Sequence, residues 1–507
     1  MLDMTLVPAS KTTLPPVFEA RHLIDGQWCD SVDGATSERR SPSHGTVVSR
    51  AAKGGAPEAG AAIAAARAAF DDGRWSQLSG KARAMVLLRI AELIEANVDR
   101  MALIETLESG KPITQARGEI AGAADLWRYA ASLARTLHGD SHNSLGADML
   151  AVILKEPIGV VSIITPWNFP FWILSQKLPF ALAAGCTCVV KPSELTPSTT
   201  AILGELLQEA GLPAGVVNIV LGYGQPVGAI LTSDPRVDMV TFTGSTAVGK
   251  GIAATTAGTL KKVALELGGK NPQVIFPDAD LAAAADAVVF GVYFNAGQCC
   301  NSGSRIIVHE DIAEAFTASV VELSKQVSFG DPLDPATQVG AIVSAEHGAK
   351  IDGYVSAAKS AGATVRLGGG PLRIPGLTAQ FYAPTVLTDI TVDMPIARDE
   401  VFGPVLSVLT FRTPEEALAL VNDADYGLSA SVWSENIHTC LAFARGAQAG
   451  TVWTNTWMDG FPEVTFGGVK QSGLGREIGS YGLDEFLEIK SLVMRIGRTR
   501  APWVRPR

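Results

Sequence analysis

An α/β architecture is predicted, with a doubly wound parallel sheet followed by a second α/β block. Three observations carry this. Short β-branched runs alternate with Ala- and Leu-rich helical ones over most of the chain, the alternation restarts near Pro272, and 507 residues exceed what one hydrophobic core usually supports. Two or three domains follow.

The elements read in order. Met1–Ala20 has a single lysine, three prolines and no apolar run long enough for a signal-peptide core, so a flexible arm is expected. The Ala-rich tract Ala59–Ala69 reads as a packed surface helix. From Lys81 to Glu105, Leu87, Ile90, Ala91, Ile94, Val98 and Met101 recur at helical spacing, which predicts one amphipathic helix stopped by Gly110 and Pro112. Strands are then predicted at Val160–Ile164, Thr187–Val190, Val216–Leu221, Val237–Thr241 and Val263–Leu267, with helical spacers such as Thr199–Ala210. The second block opens with a strand at Gln273–Phe276, a helix from Asp280, a strand at Arg305–Val308 and a helix near Ile312–Val327. Met149–Lys155 and Leu487–Arg495 read as isolated strands, which suggests edge pairing between subunits.

Composition narrows the function. With 47% hydrophobic residues, a net charge of −10 and a pI near 5.3, the chain has no cationic footprint for nucleic acid or anionic lipid. Its longest apolar stretch, Leu178–Val190, falls short of the ~20 residues that span a bilayer, so no membrane segment is expected. Six cysteines show neither zinc-ligand spacing nor a disulfide framework, which implies no metal and a reducing, cytoplasmic setting. Small-molecule chemistry is favoured.

Two Gly-rich loops follow predicted strands. Gly222-Tyr-Gly224-Gln-Pro-Val-Gly228 has one residue too many for the dinucleotide fingerprint, whereas Phe242-Thr-Gly244-Ser245-Thr-Ala-Val-Gly249 runs from a strand directly into a helix whose N-terminus suits a pyrophosphate. Either fits ordinary turn chemistry as well. Ala296-Gly-Gln-Cys299-Cys300-Asn-Ser-Gly-Ser-Arg305 is a polar turn in which a nucleophilic cysteine would be stabilised by backbone dipoles. In Leu265-Glu266-Leu-Gly268-Gly-Lys-Asn-Pro272 a carboxylate interrupts an apolar strand, where desolvation raises its pKa toward that of a neutral-pH base. A salt-bridged strand end is the structural alternative.

Taken with Glu108–Pro112, Thr165-Pro-Trp-Asn168-Phe-Pro170, Lys191-Pro-Ser-Glu194, Glu400-Val-Phe402-Gly-Pro404 and Gly467–Glu477, these motifs resemble the aldehyde dehydrogenase superfamily in order and spacing, from about Leu23 to Val493. The resemblance implies NAD as cofactor and an aldehyde as substrate. It implies Cys300 as nucleophile, Glu266 as general base, Asn168 as oxyanion donor, and Lys177 with Glu477 as a proton relay. Lys191 and Glu194 would hold the adenosine ribose, Gly244, Ser245 and Gly249 the pyrophosphate, and Glu400 the nicotinamide ribose. Phe402, Thr165, Trp167 and Gly268 would complete the cofactor cleft. Phe169, Trp172, Phe294, Trp457 and Phe466 would line the substrate funnel.

By the same resemblance the Rossmann-type cofactor domain comprises 1–139 and 160–271, oligomerisation strands lie in 140–159, the catalytic domain is 272–473, and 474–507 carries a further oligomerisation strand. A homodimer or homotetramer is implied. Thr465 and Val469 depart from the common pattern near the substrate mouth, and Gln176 stands where plant relatives place an aromatic wall of a cation-binding box. A medium-chain or aromatic aldehyde is therefore expected ahead of betaine aldehyde or an ω-aminoaldehyde. A CoA-acylating enzyme is disfavoured by Glu266, and a catalytically silent binding protein by the joint presence of Cys300, Asn168 and Glu266.

Overall fold

The structure is a computed structural model that describes residues 4–10, 13–497 and 503–504. Its first sheet has eight strands in the spatial order Gly473–Leu474, Lys262–Glu266, Met239–Thr243, Val160–Ile164, Thr187–Lys191, Val217–Ile219, His22–Ile24, Gln27–Cys29. The five central strands are parallel and almost wholly buried, which is why they read as continuous β-branched runs rather than as alternating ones. Chain order reverses at Val160–Ile164, whose two neighbours, Thr187–Lys191 and Met239–Thr243, both come later in the chain. Such a reversal opens a crevice beyond the strands' carboxyl ends.

The second sheet has seven strands, in the order Thr364–Leu367, Thr385–Thr388, Val405–Phe411, Arg305–His309, Pro272–Ile275, Ser429–Trp433, Thr451–Thr454, and only the Thr364 edge is antiparallel. The chain passes from one sheet to the other in the short segment Leu267–Asn271. The carboxyl end of the first sheet is thereby joined to the amino end of the second. Residues that leave strands of the first sheet and residues that enter strands of the second are brought to one place.

Three expectations are corrected. The helix predicted across Lys81–Glu105 is two helices, Gly80–Ala96 and Val98–Ser109. Asn97 leaves helical geometry at φ −111° and ψ 11°, and its amide turns back to Leu93 O at 2.9 Å. Gly110 ends the second helix at φ 85°, a left-handed conformation that suits glycine. The N-terminal arm is docked rather than free: Leu6–Val7 pairs in parallel with Phe329–Gly330, and Met4 packs on the second core, while residues 1–3 and 11–12 lie outside the described residues. The strand Met149–Pro157 is not isolated, because Leu487–Arg495 pairs antiparallel along its whole length and Asp140–His142 covers its other side. That leaves one long edge, on Leu487–Arg495, where Ile489 and Val493 are exposed.

Candidate active site

The loops after the first sheet's strands carry most of the predicted residues. Thr165–Asn168 follows Val160–Ile164, and Thr165 N–H donates to Lys191 O at 3.1 Å, which locks two adjacent strand ends together. Lys191 is buried; its ammonium donates to Pro192 O at 3.0 Å and lies 3.8 Å from Glu194. After Met239–Thr243, Ser245 caps the helix Thr246–Ala257 by accepting from Val248 N–H. Gly249 lies against Leu267, where a Cβ would come within 2.4 Å of the leucine side chain, so this helix seats closely on the sheet.

Residues entering the second sheet meet these from the opposite side. Gly269 N–H donates to a Glu400 carboxylate oxygen at 3.0 Å, and a Cβ on Gly268 would lie 2.5 Å from the other oxygen. Burial pushes the Glu400 carboxyl up to about 7, against the Gly269 hydrogen bond. Phe402 stands in the left-handed region at φ 60°, its carbonyl bonded to His347 Nε2 at 2.7 Å and its ring edge-on to Trp167 at 5.5 Å. His347 was not anticipated, since its link to Phe402 spans 55 residues.

The cysteine turn is built by an abrupt end to a helix. Leu281–Tyr293 gives way to Asn295, Ala296 and Gly297, all at positive φ, and a Cβ on Gly297 would come within 2.2 Å of Gly403 O. Asn168 Nδ2 donates to Gln298 O at 3.1 Å, and Asn295 Nδ2 donates to both Asn168 O and Gln298 O. Gln298 is in turn fixed by Val343 N–H at 2.9 Å. Asn168 thus sits against the turn with one amide proton left over. Cys299 is buried and Cys300 half-buried. The Cys299 thiol beside it, and after that burial, push the Cys300 thiol well up.

Glu266 ends its strand buried, with neither carboxylate oxygen partnered among the described residues. Gly467, at φ 150°, makes room for it, since a Cβ there would lie 2.8 Å from Oε1. Burial, and after it the Glu477 carboxylate, hold the Glu266 carboxyl well above the usual range; Lys177 opposes them. Lys177 is buried between Thr241 Oγ1, at 3.0 Å, and the Glu477 carboxylate, with which it pairs. The predicted relay pair is in contact.

Of the five aromatics expected at the funnel, three come together. Phe169 and Phe294 stack at 5.9 Å and 20°, joined by Trp172, Ile173, Met458 and Cys299. Behind Phe169 the buried Lys111 ammonium lies 4.4 Å from the ring centroid, held by Glu105 and Glu119. Trp457 is outside that cluster: it is buried against Gly291 and Gly303, with Trp453 at 5.0 Å. Phe466 is outside it too, since its backbone pairs with Glu477 and its ring packs on the first sheet's core. Asp459, exposed, accepts from Thr456 Oγ1.

The residues present fit a dinucleotide. The helix Thr246–Ala257 turns its N-terminus to the crevice, the Thr165 hydroxyl is buried without a partner among the described residues, and Lys191 carries a cation with few acceptors. A cysteine turn, a desolvated carboxylate and an amide donor at the mouth of such a crevice are parts that a dinucleotide-dependent oxidoreductase can use.

Comparison with known proteins agrees. The model of the aldehyde dehydrogenase family matches residues 28–492. The betaine aldehyde dehydrogenase of Bacillus subtilis (strain 168) is 41% identical, covering 95% of this chain and 98% of its own, and the peroxisomal aminoaldehyde dehydrogenase 1 of Pisum sativum is 40% identical, covering 96% and 97%. Among solved structures, an NAD-dependent aldehyde dehydrogenase from Sinorhizobium meliloti superposes with a TM-score of 0.96 at 50% identity, covering 98% of this chain and 99% of that one. A betaine aldehyde dehydrogenase from Staphylococcus aureus in complex with NAD+ gives 0.94 at 39%, covering 96% and 97%. The chain belongs to the aldehyde dehydrogenase family. It is an NAD-dependent oxidoreductase acting on aldehydes.

Proposed function

We propose that the chain oxidises a medium-chain or aromatic aldehyde to its acid, with Cys300 as nucleophile and Glu266 as the base that activates water. The observation that carries the catalytic part is the convergence of Cys300, Asn168 and Glu266 at the junction of the two sheets. The Cys300 thiol gives its proton to solvent water and its sulfur attacks the carbonyl carbon, forming a thiohemiacetal. The resulting oxyanion takes the free Asn168 amide proton and the Cys300 backbone N–H as donors. NAD+, when bound, supplies the hydride acceptor. Departure of the hydride leaves a thioester on Cys300. Glu266 then takes a proton from water, the hydroxide attacks the thioester carbon, the C–S bond breaks and the acid leaves. Lys177 and Glu477 pass that proton away from Glu266.

Lys191, Glu194, Thr165, Trp167, Gly244, Ser245, Gly249 and Gly268, all within 160–271, are assigned to the cofactor together with Glu400 and Phe402 of the 272–473 domain, which also carries Cys300. Glu194 favours NAD over NADP, because its carboxylate accepts from ribose hydroxyls and repels a 2′-phosphate. kcat/KM for NAD is expected to exceed that for NADP by about tenfold or more, a charge repulsion of about 1.4 kcal/mol. Equal values would contradict the assignment, and Glu194→Gln is expected to narrow the ratio.

The substrate class rests on the Phe169–Phe294 stack with Ile173, Trp172 and Met458, an apolar wall suited to a hydrocarbon or aromatic tail. A cationic substrate is the second reading, favoured by the betaine and aminoaldehyde dehydrogenases among the relatives and by the affinity of aromatic faces for cations. Hexanal and benzaldehyde are expected to exceed 3-aminopropionaldehyde and betaine aldehyde in kcat/KM. A tenfold preference for either cation, about 1.4 kcal/mol, would reverse the ranking.

A homodimer or homotetramer is supported by the exposed edge of Leu487–Arg495, open to strand pairing by a second copy. A cytoplasmic setting is supported by six cysteines without a disulfide. No described helix is long and apolar enough to cross a membrane.

A further inference from the structure

We propose that Asn271 is a positioning residue for the nucleophile: its side-chain amide clamps the Cys300 turn to the second sheet. This rests on the assignment of Cys300 as nucleophile. Asn271 is 1% exposed. Its Nδ2 donates to Cys300 O at 2.6 Å and to Ser302 O at 3.1 Å, and its Oδ1 accepts from Ser429 N–H at 3.1 Å and Ser429 Oγ at 3.0 Å. Both amide protons and both acceptor positions are used.

The two halves of that amide do different things. Its acceptor side is anchored on Ser429, the first residue of a strand in the rigid parallel sheet, and Asn271 itself immediately precedes the neighbouring strand Pro272–Ile275. Its donor side grips two carbonyls of the cysteine turn. That turn follows three residues of positive φ, a backbone that persists only when its surroundings hold it. Holding the Cys300 carbonyl fixes the peptide that follows the nucleophile. The orientation of Sγ and of the Cys300 N–H toward the aldehyde follows from it.

The same turn holds the other reactant's site. Gly269 N–H binds Glu400, and a Cβ on Gly269 would meet Cys300 O at 2.8 Å, so the Gly268–Asn271 segment touches the nucleophile's backbone and the cofactor-side carboxylate at once. Asparagine is specifically suited. Aspartate in its place has no proton for either carbonyl, and serine has only one.

The test measures the hydride burst rate constant, kcat, KM for NAD and the melting temperature in Asn271→Ala, Asn271→Asp, Asn271→Ser, Ser429→Ala and the Asn271→Ala/Ser429→Ala double variant. Misplacing the attacking atom by about 1 Å costs on the order of a hundredfold. Asn271→Ala is therefore expected to slow the burst by about tenfold to a hundredfold with KM for NAD within about threefold, Asn271→Asp to be no better, and Asn271→Ser to recover part of the rate. The double variant is expected to be no slower than Asn271→Ala alone, because both changes break one clamp. A burst unchanged in Asn271→Ala, or losses in burst, KM and melting temperature that move together and add in the double variant, would overturn the clamp. Should Asn271→Ala not fold, Ser429→Ala and Asn271→Ser carry the same comparison. NADH formation persisting in Cys300→Ser would instead overturn the nucleophile assignment.

Discussion

Cys300→Ser is expected to lower NADH formation by at least about a thousandfold, whereas Cys299→Ser stays within about tenfold of the parent. Both residues sit in one turn, yet their surroundings differ. Cys299 is buried among Phe169, Ile173, Trp172 and Phe294 and forms part of the apolar wall. Cys300 is half-buried, its carbonyl is held by Asn271, and Asn168 lies against the preceding residue pair through Gln298 O. The Cys299 thiol, and after it burial, push the Cys300 thiol up and so oppose its ionisation. The thiolate therefore depends on the assembled site, and a serine hydroxyl, far less acidic than a thiol, does not ionise there. Removing the Cys299 sulfur relieves the upward push on Cys300, so alkaline activation in Cys299→Ser is expected to begin at lower pH. The steady-state NADH rate of both variants decides the assignment. Loss of turnover in Cys299→Ser with retention in Cys300→Ser would reverse it.

The five central strands of the first sheet were legible because burial on two faces selects β-branched runs, and Val160–Ile164 was recovered to the residue; in the second sheet only Pro272–Ile275 and Arg305–His309 were read, and its other five strands were missed. What lay hidden depends on partners remote in sequence. Leu487–Arg495 and Met149–Pro157 look unpartnered along the chain because each one's partner is more than 300 positions away. The break at Asn97 was masked by an apolar register that continues from Ile94 to Val98 and Met101 as though one helix ran through.

The site was legible to the extent that its motifs are strand ends. Thr165 and Ser245 follow strands of the first sheet and Lys191 and Glu266 each close one, while Cys300 and Glu400 precede strands of the second, so parallel topology brings these ends together. Side-chain direction was less accessible. Trp457 lies next to Met458, a member of the aromatic cluster, but its ring turns into the small space left by Gly291 and Gly303. Asn271 stood inside a motif already singled out, and no periodicity could show that its amide reaches Cys300 and Ser429.

Glu266→Gln is expected to separate the two halves of the reaction. Glutamine is nearly isosteric, so the buried site keeps its shape, but an amide cannot take a proton from water. Hydride loss from the thiohemiacetal does not need that proton transfer, whereas thioester hydrolysis does. A burst of NADH close to one equivalent per active site should therefore survive. Steady turnover should fall by about a hundredfold to ten-thousandfold, the range that general-base catalysis supplies. The pH dependence follows from the raised pKa. Burial and Glu477 keep Glu266 protonated, and so unable to act as base, until pH passes its elevated value. Turnover of the parent enzyme should accordingly climb with pH through that value, and the climb should vanish in Glu266→Gln. Lys177 opposes the upward push, so Lys177→Met should move the same rise to higher pH. Stopped-flow absorbance over a pH series measures all three. A Glu266→Gln trace with no burst, and with hydride formation slowed in parallel with turnover, would remove the base from hydrolysis and place it in thiol activation.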